Sequence, residues 1–399
     1  MRILQIVPQL PYPPDTGGRT ANFHVLKYLS RRHTMTLVSF VTPESEPHVP
    51  ALAPYCDRIV TVPHRAEYVK RDMLLNLFSS TPYTMAKFRL ETMWETIREI
   101  AGSGSVDLAH IDQLHMAHYV GALPAGLPVA LRQQNIESVL MRRYAEKAAN
   151  PLVRSYASLQ AKRLRRYEAV TTMRFDLCTV MTEVDAAALR EMAPHACIET
   201  VSAGVDTEYY HPDVLKITPE PLRLVTTGDY RWPPTADGLT YFVKNVYPLI
   251  HQAVPDVRLA VVGHEPPETV RRAAENAGIC VTGRVEDIRM EILRAAVCVV
   301  PTRIGSGIRL KILEAMALSR PVVSTRIGCE GIEAVPGVHL LVADTPEDFA
   351  TQVVRLLENP SEGRRIADAA LRIVRERYAW PVLTDRLSAL YERMLRERG

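Results

Sequence analysis

Short runs of Val, Ile and Leu alternate along the chain with stretches of helical periodicity. The strand-like runs are RILQIV, TMTLVSF, DRIVTV, VDLAHI, PVALR and DLCTVM in the first half. LRLVTT, VRLAVVG, GICVTG, AVCVVP, RPVVST and HLLVAD follow in the second. Near-continuous apolar strands separated by helices predict parallel sheets covered on both faces. Right-handed crossovers then make each half a Rossmann-like, doubly wound α/β unit. A polar, proline-bearing stretch, GVDTEYYHPDVLKITPEPL, separates the halves and places the first domain at 1–204 and the second at 222–375. The last segment, 376–399, is amphipathic beyond a Trp-Pro break, with Leu383, Leu387, Leu390 and Leu395 expected on one packed face.

Length agrees with this division: 399 residues exceed one ordinary core and suit two domains. An apolar content of 47% with 23% charged residues is that of a water-soluble globular chain. The net charge of +3 calls for no nucleic acid. The six cysteines are scattered without metal-ligand spacing, so reduced thiols, a cytoplasmic setting and no metal are expected. The opening MRILQIVPQLPYPP reads as a first strand rather than a signal peptide. No apolar run approaches the roughly 18 residues of a membrane span. One region is charged asymmetrically: between Arg132 and Arg174, ten Lys or Arg face three Asp or Glu. It reads either as a solvated helix face or as a surface for an anionic or lipid-linked acceptor, with peripheral contact at the inner face of a membrane.

The segment GSGIRLKILEA carries the most specific chemistry. AVCVVPT reads as a strand, IRLKILEAMAL as a helix, and RIGSG as the turn between them. Ligands of open α/β sheets bind beyond the carboxyl ends of the strands, and a helix N-terminus there favours an anion. Gly305, Ser306 and Gly307 would let the backbone approach a phosphate. Arg309 and Lys311, placed in or near the first helical turn, oppose the helix dipole at a cost of ~0.3–1 kcal/mol each. A bound diphosphate reverses that sign. Lys311 and Glu314 are also three residues apart, so an intrahelical pair worth ~0.2–0.5 kcal/mol is the plainer alternative; it leaves the glycines and Arg309 unexplained. Glu314 is then free to accept hydrogen bonds from ribose. A second glycine turn, Gly17 and Gly18, joins the first strand to the first helix and can take positive φ close to a ligand.

RIGSGIRLKILEAMALSRPVVSTRIGCEGI resembles the donor-site signature of family 4 glycosyltransferases, and PYPPDTGG, LRQQNIES and VSAGVDTEYYHP are similar to other parts of that family. The resemblance implies the GT-B architecture, two Rossmann-like domains facing a cleft, with the last helix crossing back to the N-terminal domain. It implies a UDP- or GDP-sugar co-substrate with no other cofactor and no metal, and transfer with retention to an unidentified acceptor. By position, Glu314 is the second glutamate of the family's E-x7-E pattern and Ser306 stands in place of the first. Arg309 and Lys311 would act on the diphosphate, helped by Arg231. Gly328, Glu330 and Gly331 would lie against the donor sugar, and Gly17 and Gly18 would meet donor phosphate or acceptor. Asp112 takes the place of a catalytic histidine, with a helix N-cap as its other reading, while His110 reads as a satisfied core residue. Asn135 and Glu137 are placed on the acceptor side, Asn135 being also a candidate helix cap. A nucleotide-sugar epimerase of the same fold and a non-catalytic nucleotide-sugar binder are the competing readings.

Overall fold

The computed structural model describes residues 1–148, 150–274, 278–305 and 307–398. The chain forms two compact units, Met1–Ala203 with Leu383–Gly399, and Gly204–Val382.

In the first unit, seven strands form one sheet: β1 (Arg2–Val7), β2 (Thr34–Val41), β3 (Arg58–Pro63), β4 (Leu108–Asp112), β5 (Val129–Arg132), β6 (Leu177–Val180) and β7 (Ile198–Thr200). Their order is β3-β2-β1-β4-β5-β6-β7 and every pairing is parallel. The second sheet holds β8 (Arg223–Asp229), β9 (Arg258–His264), β10 (Ile279–Gly283), β11 (Val297–Val300), β12 (Val322–Ser324) and β13 (Leu341–Val342), in the parallel order β10-β9-β8-β11-β12-β13. In both sheets the strand order reverses beside the first strand, between β1 and β4 and between β8 and β11. Such a switch point opens a crevice at the carboxyl edge. Central strands such as β4, β5 and β11 are buried at every position, which is why they read as unbroken apolar runs. The twelve runs read from the sequence correspond to twelve of these thirteen strands. The exception, β7, has three residues at the sheet edge and two half-buried polar side chains, so it carries almost no apolar signal.

Residues 204–222 pack within the second unit. The Val205 amide donates to Tyr378 O (2.8 Å), and Tyr210, Leu215 and Ile217 lie against its core. The last helix, Trp380–Arg398, buries Leu383, Leu387, Leu390, Tyr391 and Met394, while Leu395 is only half-buried. The packed face is the expected one at Leu383, Leu387 and Leu390 and departs from it only at the end, where Met394 is buried in place of Leu395. Within the first unit this helix meets β4 through Tyr391, whose hydroxyl meets His110 Nδ1, and the turn before β2 through Ser388 Oγ, 2.7 Å from His33 Nε2. Among the described residues no helix is long and apolar enough to cross a membrane.

Candidate active site

The switch point of the second sheet gathers most of the expected donor residues. After β11 the chain turns through Gly305 and Gly307, whose φ values are +141° and +76°, a region that favours glycine. Ser306 lies outside the described residues. The helix that follows is Leu310–Ala317, two residues shorter at its start than expected. Arg309 is its N-cap, with extended backbone (φ −90°, ψ 98°), so its side chain leaves from before the first turn rather than within it. The guanidinium folds back to donate to Gly307 O. A Cβ on Gly305 would come 2.7 Å from Arg309 Nη2. Gly305 therefore makes room for an arginine as much as for a ligand.

Lys311 and Glu314 leave the helix on its inner side, both half-buried. The Lys311 amine crosses to β8 and donates to Thr227 O, while Glu314 Oε1 accepts from the Tyr210 hydroxyl at 3.2 Å. Among the described residues no ion pair joins them, so the intrahelical pair does not explain their presence. Burial lowers the Lys311 amine to about 8, with nearby Arg309 adding to the depression and Glu314 opposing it. Burial also raises the Glu314 carboxyl, against the Tyr210 hydrogen bond and Lys311. Each group is thus short of counter-charge. Space for the amine comes from Gly228 at the end of β8, where an added Cβ would lie 3.1 Å from Lys311 Nζ and 2.6 Å from Thr235 Cγ2. Its register partner on β9, Gly263 (φ +140°), would drive a Cβ to 1.8 Å from Gly228 O. Tyr210, Thr227 and Gly228 were not singled out from the sequence. Glycine at the carboxyl ends of two neighbouring strands, TTGD and VVGH, was the available signal.

The loop after β12 adjoins this turn. Thr325 Oγ1 donates to Thr302 O and Ser324 Oγ to Val300 O (3.1 Å). Buried Gly328 sits so close that a Cβ would approach Ser324 Oγ to 2.2 Å and Val300 O to 2.9 Å. Glu330 is half-buried, and Gly331 takes φ +82°. Arg231 is exposed between β8 and the next helix, where it pairs with Asp229 at 2.6 Å.

In the first unit the expected residues divide. Gly17 and Gly18 open the helix Gly17–Leu29, and neither adopts positive φ, contrary to expectation. Their use is closeness: a Cβ at Gly18 would lie 3.3 Å from both Gln113 Nε2 and Gln134 Oε1, while Gly17 faces open space. Asp112, expected at the chemistry, is instead a fully buried partner of other side chains. It accepts from Arg132 Nη1 (3.0 Å) and Gln5 Nε2 (2.8 Å), and His110 Nε2 lies 3.1 Å from Oδ2. Burial alone would raise this carboxyl, but His110 and Arg132 overcome it and hold it down at about 2. Nor is Asp112 a helix cap; Gln113, with φ +68°, precedes the 3-10 helix Leu114–Ala122. His110 is the core histidine read from the sequence. The network continues through Asn22 Oδ1, which accepts from Gln134 Nε2 (2.6 Å), and so reaches the Gly18 turn.

Asn135 is half-buried and is not a cap, since Ile136 holds that position for the helix Glu137–Lys147. The first amides of that helix, from Glu137 and Ser138, donate instead to the Glu168 carboxylate (2.7 and 3.1 Å). Glu137 is half-buried beside Glu168, and burial together with that second carboxylate pushes it up to about 8 against the pull of Lys87.

Known proteins share this architecture over the whole chain. The sucrose-phosphate synthase of Thermosynechococcus elongatus superposes with a TM-score of 0.75 at 16% identity, covering 100% of both chains. Anabaena HepE, solved in complex with UDP, does so with a TM-score of 0.70 at 14% identity, covering 98% of this chain and 100% of its own. At such identities the likeness is one of fold, two parallel-sheet units of the GT-B class. By sequence, an uncharacterized 44.6 kDa protein of the Klebsiella pneumoniae cps region is 27% identical over 159 residues, 38% of this chain and 41% of that protein. The chain spans about half the length or less of the curated relatives it matches, 41–51% of each. Over residues 221–359, the stretch that holds Lys311, Glu314 and the turn through Gly305 and Gly307, the chain matches the family model described as glycosyl transferases group 1.

Proposed function

We propose that the protein transfers a glycosyl group from a nucleoside-diphosphate sugar, a UDP- or GDP-sugar, to a hydroxyl acceptor, and that the second unit holds the donor. The observation that carries this reading is Lys311. A half-buried amine, lowered to about 8 and held among the described residues by a backbone carbonyl, sits beside a glycine turn at a sheet's switch point. A diphosphate there supplies the missing counter-charge. Glu314, one turn along, accepts hydrogen bonds from ribose hydroxyls in exchange for that of Tyr210. The family match over this stretch and a structural neighbour solved with UDP support the assignment.

In the proposed reaction the bond from the sugar's anomeric carbon to the diphosphate breaks and a bond to the acceptor oxygen forms on the same face. The acceptor proton passes to the departing phosphate oxygen. Charge developing on that oxygen is met by Lys311, by Arg309 once it swings from Gly307, and by the positive dipole end at the start of Leu310–Ala317. This account needs no metal and no further cofactor. Gly328, Glu330 and Gly331 flank the sugar, and Arg231 adds to the phosphate site on leaving Asp229. The acceptor is a glycan, a lipid-linked sugar or a small molecule, met by the first unit near Gly17, Gly18, Asn135 and Glu137.

A thermal-shift screen against UDP-, GDP-, ADP- and CMP-sugars tests the donor assignment. One nucleotide should raise the melting temperature, since saturation at a hundred times Kd adds ~2.7 kcal/mol. The matching sugar should then be hydrolysed slowly alone and transferred when acceptors are supplied, with the product's anomeric configuration read by NMR. Interconversion of the sugar nucleotide without acceptor would assign an epimerase instead, and no shift with any nucleotide would remove the donor site.

A further inference from the structure

The first unit leaves a run of apolar side chains in water after β3. The short helix Lys70–Leu75 and the turn Asn76–Phe78 expose Leu74 (64%), Leu75 (59%) and Phe78 (94%), and Tyr68, Val69 and Leu77 are exposed beside them. This segment is fastened, not loose. Asn76 is buried and binds Gln160 Nε2 through Oδ1 (3.1 Å), and Arg163 donates to Asn76 O (2.8 Å) and Leu77 O (2.7 Å). Gln160 and Arg163 belong to the helix Pro151–Thr172, which adds its own exposed Leu152 (81%) and Leu159. Leu152, Tyr156, Leu159 and Arg163 follow one another by four, three and four residues, one stripe that ends at the contact with Leu77. Single exposed apolar residues need no explanation, but contiguous ones mark an interaction surface.

The charges beside this patch indicate what covers it. Lys70, Arg71, Lys162 and Arg166 are exposed and join no ion pair among the described residues. Asp72 is an exposed acid in the same short helix, while Glu67 and Glu44 are met by Arg65, and Glu191 by Arg165 at 2.8 Å. Apolar side chains ringed by unpaired cations with long aliphatic stems fit a surface that is greasy within and uniformly anionic at its face.

We propose that this face of the first unit seats on an anionic lipid bilayer. Phe78 and Leu74 enter the boundary between headgroups and acyl chains, and Lys70, Arg71, Lys162 and Arg166 meet the headgroup phosphates. The inference is independent of the glycosyl-transfer reading. Flotation of the full chain with vesicles of phosphatidylcholine alone, or mixed with phosphatidylglycerol, tests it. The protein should rise with the mixed vesicles and stay behind with phosphatidylcholine. Phe78→Ser combined with Leu74→Ser should lower the partition coefficient about ten- to a hundredfold. Lys162→Gln with Arg166→Gln should weaken binding and flatten its salt dependence. All four side chains are exposed, so an unchanged thermal melt certifies the fold of each variant. Wild-type protein that stays down with both vesicles at low salt overturns the proposal, as does a Phe78→Ser, Leu74→Ser variant that floats like wild type. A wild-type dimer in light scattering that Phe78→Ser converts to monomer would assign the face to a second copy instead.

Discussion

Nucleotide affinity should fall with rising pH, with Lys311 as the cause. In the free protein its amine is lowered to about 8 by burial. A bound diphosphate favours the charged form, so the same group has a higher value in the complex. The sign follows: binding is at full strength below the free value and weakens as pH rises through it. With a free value near 8, about nine-tenths of the amines are charged at pH 7 and about one-tenth at pH 9. Affinity for the cognate nucleotide should therefore drop about tenfold over that interval, ~1.4 kcal/mol. Calorimetry in buffers of different ionisation enthalpy reads this twice, as a change in Kd and as proton uptake approaching one per nucleotide at pH 9. Glu137 and Lys87 also lie near 8, but both belong to the first unit. Lys311→Gln isolates the amine: the variant should bind more weakly at pH 7 and show no slope from 7 to 9. A wild-type affinity that is flat across this range, with no proton taken up, would refute the placement of the diphosphate at Lys311.

Other outcomes follow from the same geometry. Glu314→Ala should abolish the nucleotide-induced rise in melting temperature while the free protein melts cooperatively; an undiminished rise would mean that ribose lies elsewhere. Gly228→Ala puts a methyl 3.1 Å from the Lys311 amine and 2.6 Å from Thr235 Cγ2. It should cost ~1–3 kcal/mol in urea unfolding and weaken nucleotide binding; wild-type values for both would show that the strand end yields freely. Asp112→Ala strips the buried Arg132 of its carboxylate, and ~3–5 kcal/mol of stability should go with it; a loss below ~1 kcal/mol would free Asp112 from the structural role given to it here.

Most of the fold was legible because fully buried parallel strands write themselves as apolar runs, whereas β7, short and half polar, wrote nothing. The proposed donor site was legible by its glycines and by cations at the wrong end of a helix. The missing part was where each side chain goes. Nothing local in IRLKILEA says that Lys311 reaches a carbonyl of β8, or that Tyr210, over a hundred residues earlier, meets Glu314. Both contacts depend on the strand order at the switch point. Asp112 misled for a related reason. A carboxylate at the end of a central strand looks available until Arg132 and Gln5, on the two neighbouring strands β5 and β1, close over it. Gly17 and Gly18 look like residues chosen for unusual backbone angles, yet neither takes positive φ: Gly18 serves a helix start crowded by glutamine amides, while Gly17 faces open space.

The first unit recruits its last helix from the far end of the chain, which sets a schedule for synthesis. Its first 203 residues leave the ribosome before Gly204–Val382, and Leu383 onward comes only afterwards. At ~5–20 residues per second, the sheet waits roughly ten seconds or more for Leu387 and Tyr391. Through that interval His110 lacks the Tyr391 hydroxyl and the apolar face behind it stays open. The second unit has no such dependence and can close first. A premature stop within the final helix would therefore injure the half of the protein made earliest, and leave the half made last intact.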